Sequence, residues 1–165
     1  MVTTTALEDE LRKAVGAVPD PELPVLSLEE LGIVRGVHLL GPGRVEVELT
    51  PTYTGCPAID TMAADVTRVL RDRGIPEVSV RTVLSPAWST DAISAEGRRK
   101  LAEFGIAPPR PTRDGAGPVA VGLSVRCPHC GSLDTTLLSR FSSTACKALR
   151  RCESCREPFD HFKEL

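Results

Sequence analysis

Cys127-Pro128-His129-Cys130-Gly131 and Cys152-Glu153-Ser154-Cys155 are two C-x-x-C pairs separated by 21 residues. That separation is close to the range of a four-cysteine zinc site. Two residues between thiolates let the chain curl so that both sulfurs face one ion at about 2.3 Å. Gly131 can take the left-handed conformation that follows such a knuckle. Leu133–Leu138 and Ala148–Arg151 read as the intervening strands. A unit of about 47 residues buries too little apolar surface to fold unaided, so the metal supplies much of its folding free energy. Arg126, Lys147, Arg150, Arg151 and Arg156 flank the pairs and can offset the excess charge of four thiolates. Four protein ligands leave no open coordination position, which points to a structural ion. Iron in a rubredoxin-like site is the alternative, but only the first knuckle has the C-P-x-C-G form; the second has Glu153 and Arg156 in place of Pro and Gly. Zinc is therefore expected. His129 reads as an exposed knuckle residue. Cys146 lies six residues before Cys152 and out of register with both pairs, so it is either a small buried residue or a reactive thiol.

Upstream of the metal module, Pro108-Pro109-Arg110-Pro111 through Gly115-Ala116-Gly117-Pro118 has the composition of a linker. The reading is a first domain over 1–107, a Pro/Gly linker over 108–118 and a metal-binding domain over 119–165. In the first domain, Leu7, Leu11, Ala14, Val15 and Val18 recur at helical spacing, predicting a helix over 5–17. Ser27 and Glu30 form a capping-box pattern on a single turn ended by Gly32. Ile33–Leu40 and the alternating Val45, Val47 and Leu49 predict a hairpin across Gly41-Pro42-Gly43. Ile59, Met62, Ala63, Val66, Val69 and Leu70 predict a second helix closed by Gly74. Val78 and Val80 mark a third strand, and residues 91–104 a further helical stretch ended by Gly105.

Cys56 stands apart from the other five cysteines, in Thr50-Pro51-Thr52-Tyr53-Thr54-Gly55-Cys56-Pro57. Pro57 is a favoured first helical residue, which puts Cys56 at the helix N-cap. Free N–H groups and the helix dipole lower a thiol pKa there. Two readings follow: a metal-handling or reactive thiol at a loop tip, or an N-cap that happens to be cysteine. Asp20 and Glu22, fixed by Pro19, Pro21 and Pro24, can approach the same edge; as turn-forming residues they need no further role.

The net charge of -2 argues against a strong non-specific pull on nucleic acid or anionic membranes. Aromatics are scarce, so the core is expected to be aliphatic. No apolar run approaches the roughly 20 residues that span a bilayer. Met1–Leu11 does not read as a secretory leader, so a cytoplasmic setting is expected, where thiols stay reduced and clustered cysteines read as metal ligands.

Three stretches resemble the MIP18 (DUF59) family, which is tied to iron–sulfur cluster assembly: Pro19-Asp20-Pro21-Glu22-Leu23-Pro24-Val25-Leu26, Leu31-Gly32-Ile33-Val34-Arg35, and Thr50 through Pro57. Pro86-Ala87-Trp88-Ser89-Thr90-Asp91, Phe104 through Pro109, Ser143 through Leu149 and Glu157 through Lys163 narrow the resemblance. With the C-terminal module attached, the chain is similar to the accessory-subunit family, called D or J, of phenylacetyl-CoA oxygenases (epoxidases). The resemblance implies an α+β fold: a MIP18-like α/β sandwich with a small mixed sheet, plus a β-rich zinc ribbon. It implies a non-catalytic accessory or maturation subunit in phenylacetate catabolism. Its partners would be the oxygenase and reductase subunits of the complex, and it would assist iron–sulfur or di-iron centre assembly in them. Zinc would be resident, iron or an iron–sulfur cluster would be held transiently, and Cys56 would be the thiol concerned. A homo-oligomer is compatible with this reading. An electron-transfer or structural component of the oxygenase is the alternative, and a nucleic-acid-binding ribbon a more distant one.

Overall fold

A computed structural model describes residues 4–111 and 124–164. The linker expected over 108–118 lies outside the described residues from 112 onward, as do positions 119–123 of the expected metal domain. The chain divides into two compact units, Met1–Gly97 and Arg98–Leu165.

In the first unit the helical periodicity at the start becomes helix α1 (Thr4–Gly16). Strands β1 (Val34–Gly41) and β2 (Arg44–Leu49) form the expected antiparallel hairpin. Helix α2 (Ala58–Asp72) then carries the chain to strand β3 (Glu77–Thr82), which pairs parallel with β2. The sheet order β1-β2-β3 is therefore mixed. A parallel partner needs a crossover, and α2 provides it.

Alternation along β2 separates two faces. Val45, Val47 and Leu49 are buried, and α1 and α2 pack against β1, β3 and each other over them. Met62, Val66 and Leu70 form the buried stripe of α2. The opposite face carries a charge ladder: Arg44 pairs with Glu77 at 2.8 Å, and Arg81 with Glu46 and Glu48. These are solvent-facing pairs, each worth little for stability. One face packed and one face charged is the usual arrangement of a sheet with helices on one side.

The Ser27/Glu30 capping box forms as expected. The Ser27 N–H donates to the Glu30 carboxylate at 2.9 Å, and the Glu30 N–H donates to Ser27 Oγ at 3.2 Å. The segment it caps is only a turn, ended by Gly32 at φ +69. The helix expected over 91–104 is broken into a 3-10 turn (Thr90–Ala92) and helix α3 (Ala95–Glu103). Ile93 takes an extended conformation between them and is buried, which interrupts the helical run.

In the second unit the two expected strands are β5 (Thr135–Ser139) and β6 (Lys147–Cys152). Two further strands, β4 (Ile106–Ala107) and β7 (Pro158–Phe162), complete a sheet of order β4-β7-β6-β5. β4 pairs parallel with β7 through Ile106 and Ala107. That pairing draws 98–107 into the second unit, so the division falls before the boundary expected at 107. A two-residue strand carries no periodicity of its own, and only its distant partner defines it.

Gly32 gives a direct test of the first unit. A Cβ there would stand 2.5 Å from the Ala92 carbonyl oxygen, on a left-handed backbone. Gly32→Ala should lower the unfolding free energy of that unit by about 2 kcal/mol or more. Chemical denaturation of the variant beside the parent chain measures it; equal midpoints would mean that the turn adjusts freely.

Candidate functional site

The two C-x-x-C pairs fold into near-copies of one knuckle. In the first, the Cys127 N–H donates to the Ser132 carbonyl (2.8 Å) and the Gly131 N–H to the Cys127 carbonyl (2.9 Å). In the second, the Cys152 N–H donates to the Glu157 carbonyl (3.0 Å) and the Arg156 N–H to the Cys152 carbonyl (3.0 Å). Gly131 has φ +78 and Arg156 φ +67, so the same left-handed step occurs in both. Arg156 adopts it without glycine's freedom, at a cost of about 1–2 kcal/mol.

These turns bring all four sulfurs within 4.8 Å of one another, a four-cysteine metal-binding cluster. Cys127 and Cys155 Sγ are 3.8 Å apart, and Cys130 and Cys152 Sγ 3.5 Å. A tetrahedral ion with bonds of about 2.3 Å needs sulfurs about 3.8 Å apart, so the donor set fits. The separations are far too long for disulfides, which need about 2.05 Å. Cys127 and Cys152 are buried, Cys155 is half-buried and Cys130 is exposed. Cys127 and Cys152 belong to the small core of Ala107 and Phe159, against which Val125 and Cys155 pack.

The thiols are electrically unequal. The Cys155 N–H, the largest influence on Cys152, draws that thiol down to about 6, helped by the hydrogen bond from Cys130. The Glu157 N–H pulls Cys155 down, but burial and hydrogen bonding with Cys152, Cys130 and Cys127 outweigh it and push Cys155 up to about 12. Crowded sulfurs cannot all ionise unaided, and a cation replaces their protons.

The flanking cations behave less uniformly than expected. Arg126 donates to the Gly131 carbonyl at 2.6 Å, and Arg151 and Arg156 both reach Glu153. Lys147 is buried and pairs with Asp160 at 3.2 Å, so its charge is committed there. His129 is exposed, with its ring edge-on to Phe159 at 6.5 Å. Cys146 is buried outside the cluster, its Sγ 3.1 Å from Thr144 Oγ1.

Cys56 precedes Pro57, which occupies the cap position of α2 with helical dihedrals. The Cys56 carbonyl accepts from the Ile59 N–H at 3.3 Å, and its sulfur accepts from the Ala58 N–H. The thiol is buried rather than displayed at a loop tip. Burial is the largest influence on it and pushes its pKa up, which corrects the lowering expected from the helix terminus alone. Glu22 and Asp20 are near enough for their negative charges to add to that rise. Tyr53, which sequence reasoning passed over, hydrogen-bonds to the sulfur and opposes it. Its signal was its place three residues before Cys56, where the Cys56 N–H donates to the Tyr53 carbonyl at 3.2 Å. Among the described residues, only the four ribbon cysteines bring three or more potential ligand atoms together at ion-binding distances.

Asp20 is buried, and its Oδ1 accepts the Glu22 and Leu23 N–H groups at 2.8 and 2.7 Å. Burial raises its pKa despite those two bonds. A raised folded-state pKa means that the ionised form costs stability, a cost that grows as pH rises above the unfolded-state pKa and is absent below it. Asp20→Ala removes the acceptor of two N–H groups and should destabilise the first unit by about 1–3 kcal/mol, despite relieving that cost. Asp20→Asn should keep the turn, and its stability relative to the parent should improve as pH rises from about 4 to 7. Thermal melts across that range test both; a pH-independent difference would remove the electrostatic account.

Residues 8–85 match the family model described as an iron-sulfur cluster assembly protein, and residues 112–163 match that of the PaaD zinc beta ribbon domain. The Escherichia coli K12 protein provisionally named as the D-type subunit of 1,2-phenylacetyl-CoA epoxidase is 46% identical over 154 residues, covering 93% of this chain and 91% of that protein. A Porphyromonas gingivalis Fe-S protein maturation auxiliary factor is 32% identical over 57% of this chain and 90% of its own length. A crystal structure of a DUF59 domain from Bacillus anthracis superposes with a TM-score of 0.55 at 30% identity, covering 59% of this chain and 92% of that one. With one relative matched along nearly its whole length and both domains matched in order, this chain belongs to the family of D-type phenylacetyl-CoA epoxidase subunits, in which a DUF59-type iron–sulfur assembly domain is joined to a zinc ribbon.

Proposed function

We propose that this chain is a non-catalytic, cytoplasmic accessory subunit that helps load iron–sulfur or di-iron centres into the oxygenase and reductase subunits of a phenylacetyl-CoA epoxidase. Zinc is the resident ion of Cys127, Cys130, Cys152 and Cys155, and it folds the ribbon. Iron or a cluster is cargo, handled through Cys56 with Asp20 and Glu22 beside it. The observation that carries this reading is the position of Cys56: a buried thiol at the start of α2, within electrostatic reach of two carboxylates. Its raised pKa keeps the sulfur protonated and quiet at neutral pH, and a cation can take the place of that proton. A thiol that holds its cargo only while a cation displaces the proton suits transient carriage better than storage.

The closed four-sulfur site supports a structural role for the ribbon ion, since no coordination position is left for chemistry. Cys146, held beside Thr144, has no assigned part in this reading.

In cells, Cys56→Ser should lower the iron content and activity of the co-expressed epoxidase subunits while leaving this chain folded. Unchanged iron loading would remove Cys56 from the mechanism. Protein purified without oxygen should carry about one zinc per chain; iron in the ribbon, with visible colour, would instead favour an electron-transfer component. Chelation should unfold the ribbon together with β4, which pairs with β7, and leave the first unit (1–97) structured, as followed by amide spectra. Loss of both together would mean that they fold as one.

A further inference from the structure

The second unit displays apolar side chains where a small soluble domain usually hides them. Leu133 is 49% exposed, Leu137 44%, Leu138 48% and Phe141 64%. They lie on β5 and its flanks, and β5 is the edge strand of its sheet among the described residues. A register shift between Leu137 and Ser139 leaves Leu138 opposite no residue of β6, so it stands out as the extra residue of a bulge. Exposed edges are normally blunted by charge or covered, and a contiguous apolar patch on one marks an interaction site.

Cations predominate around this patch, with two acids beside them: Glu153 hydrogen-bonds Thr136 of β5, and Glu164 lies within electrostatic reach of Arg150. Arg150 lies directly opposite Leu137 in the β5/β6 register, and Arg151 opposite Thr136. Arg140 follows the strand and is exposed. Lys163 Nζ sits 4.6 Å over the Phe141 ring and donates to the Arg140 carbonyl at 3.1 Å. Arg151 is answered by Glu153. Among the described residues no carboxylate lies within ion-pair distance of Arg140, Arg150 or Lys163. Arg150 Nη2 donates to the Thr135 carbonyl at 3.4 Å, while its Nε is buried without a hydrogen-bond partner. Asp134, one residue before β5, is the acid nearest in sequence.

We propose that β5 and the Arg140–Phe141 turn form a docking surface for an extended acidic and apolar segment of an epoxidase subunit. Apolar side chains of that segment cover Leu137, Leu138 and Phe141, and its carboxylates meet Arg140 and Lys163. Main-chain pairing along β5, an edge strand among the described residues, adds to this in the manner of strand addition. A second copy of this chain is a poorer occupant, because the same patch on both molecules would bring like charges together. The proposal rests on the reading of this chain as an accessory subunit, but it does not involve Cys56.

The test uses the full zinc-loaded chain and purified oxygenase and reductase subunits of the epoxidase, with binding measured by calorimetry. Leu138→Asp and Arg140→Glu should each weaken binding by roughly tenfold or more. Added salt should weaken binding to the parent chain. Both positions are exposed, so the variants should keep their zinc and their melting behaviour. Cys56→Ser should bind like the parent, so failure of iron loading with intact binding would count against the thiol and not the surface. Equal binding by the parent and both ribbon variants would overturn the proposal, as would the absence of binding to every subunit. Concentration-dependent dimers abolished by Leu138→Asp would assign the surface to a second copy instead.

Discussion

Convergence of four sulfurs governs the second unit. With the sheet order β4-β7-β6-β5 and few large buried side chains, that unit has little apolar surface with which to offset the entropy of ordering its chain. Two of the sulfurs, those of Cys127 and Cys152, are part of the core itself. The metal-binding cluster and the small core of Ala107 and Phe159 are thus one object. The left-handed steps at Gly131 and Arg156 aim the knuckles, and the N–H of Cys155, 3.5 Å from Cys152 Sγ, begins to satisfy thiolate charge before any ion is considered.

The first unit is organised by a different constraint. Its sheet is covered on one side only, so the inward residues of β2 are aliphatic and the outward ones ionic. The parallel pairing of β3 requires the chain to leave the end of β2 and return through α2. Cys56 sits on that path, at the helix entrance, where sheet, loop and helix meet. The Asp20 turn reaches it electrostatically because the proline-rich stretch cannot be helical and is instead folded onto its own N–H groups. Burial, more than the helix terminus, then decides the state of the thiol.

Much of this was legible beforehand. Periodicity marked α1, α2 and the β1/β2 hairpin because each is amphipathic over a full element. Ser27 and Glu30 announced their cap, and paired C-x-x-C spacing announced the metal cluster. What stayed hidden lacked a local signal. β4 is two residues long and exists only through β7. Lys147 looked like a charge for the metal site, but Asp160 takes it. Arg156 gave no hint of a left-handed backbone, because the hydrogen bond to Cys152 imposes it against the residue's own preference.

The sequence by itself determined the amphipathic elements, the four-cysteine set and the family, since all three are written in spacing and residue type. Only the tertiary structure decided the environment of each chemical group. It buried Cys56, set Glu22 and Asp20 near it, and left Leu137, Leu138 and Phe141 exposed beside a cluster of cations. Desolvation and long-range charge depend on what packs around a residue, and that neighbourhood is assembled from segments far apart in the chain.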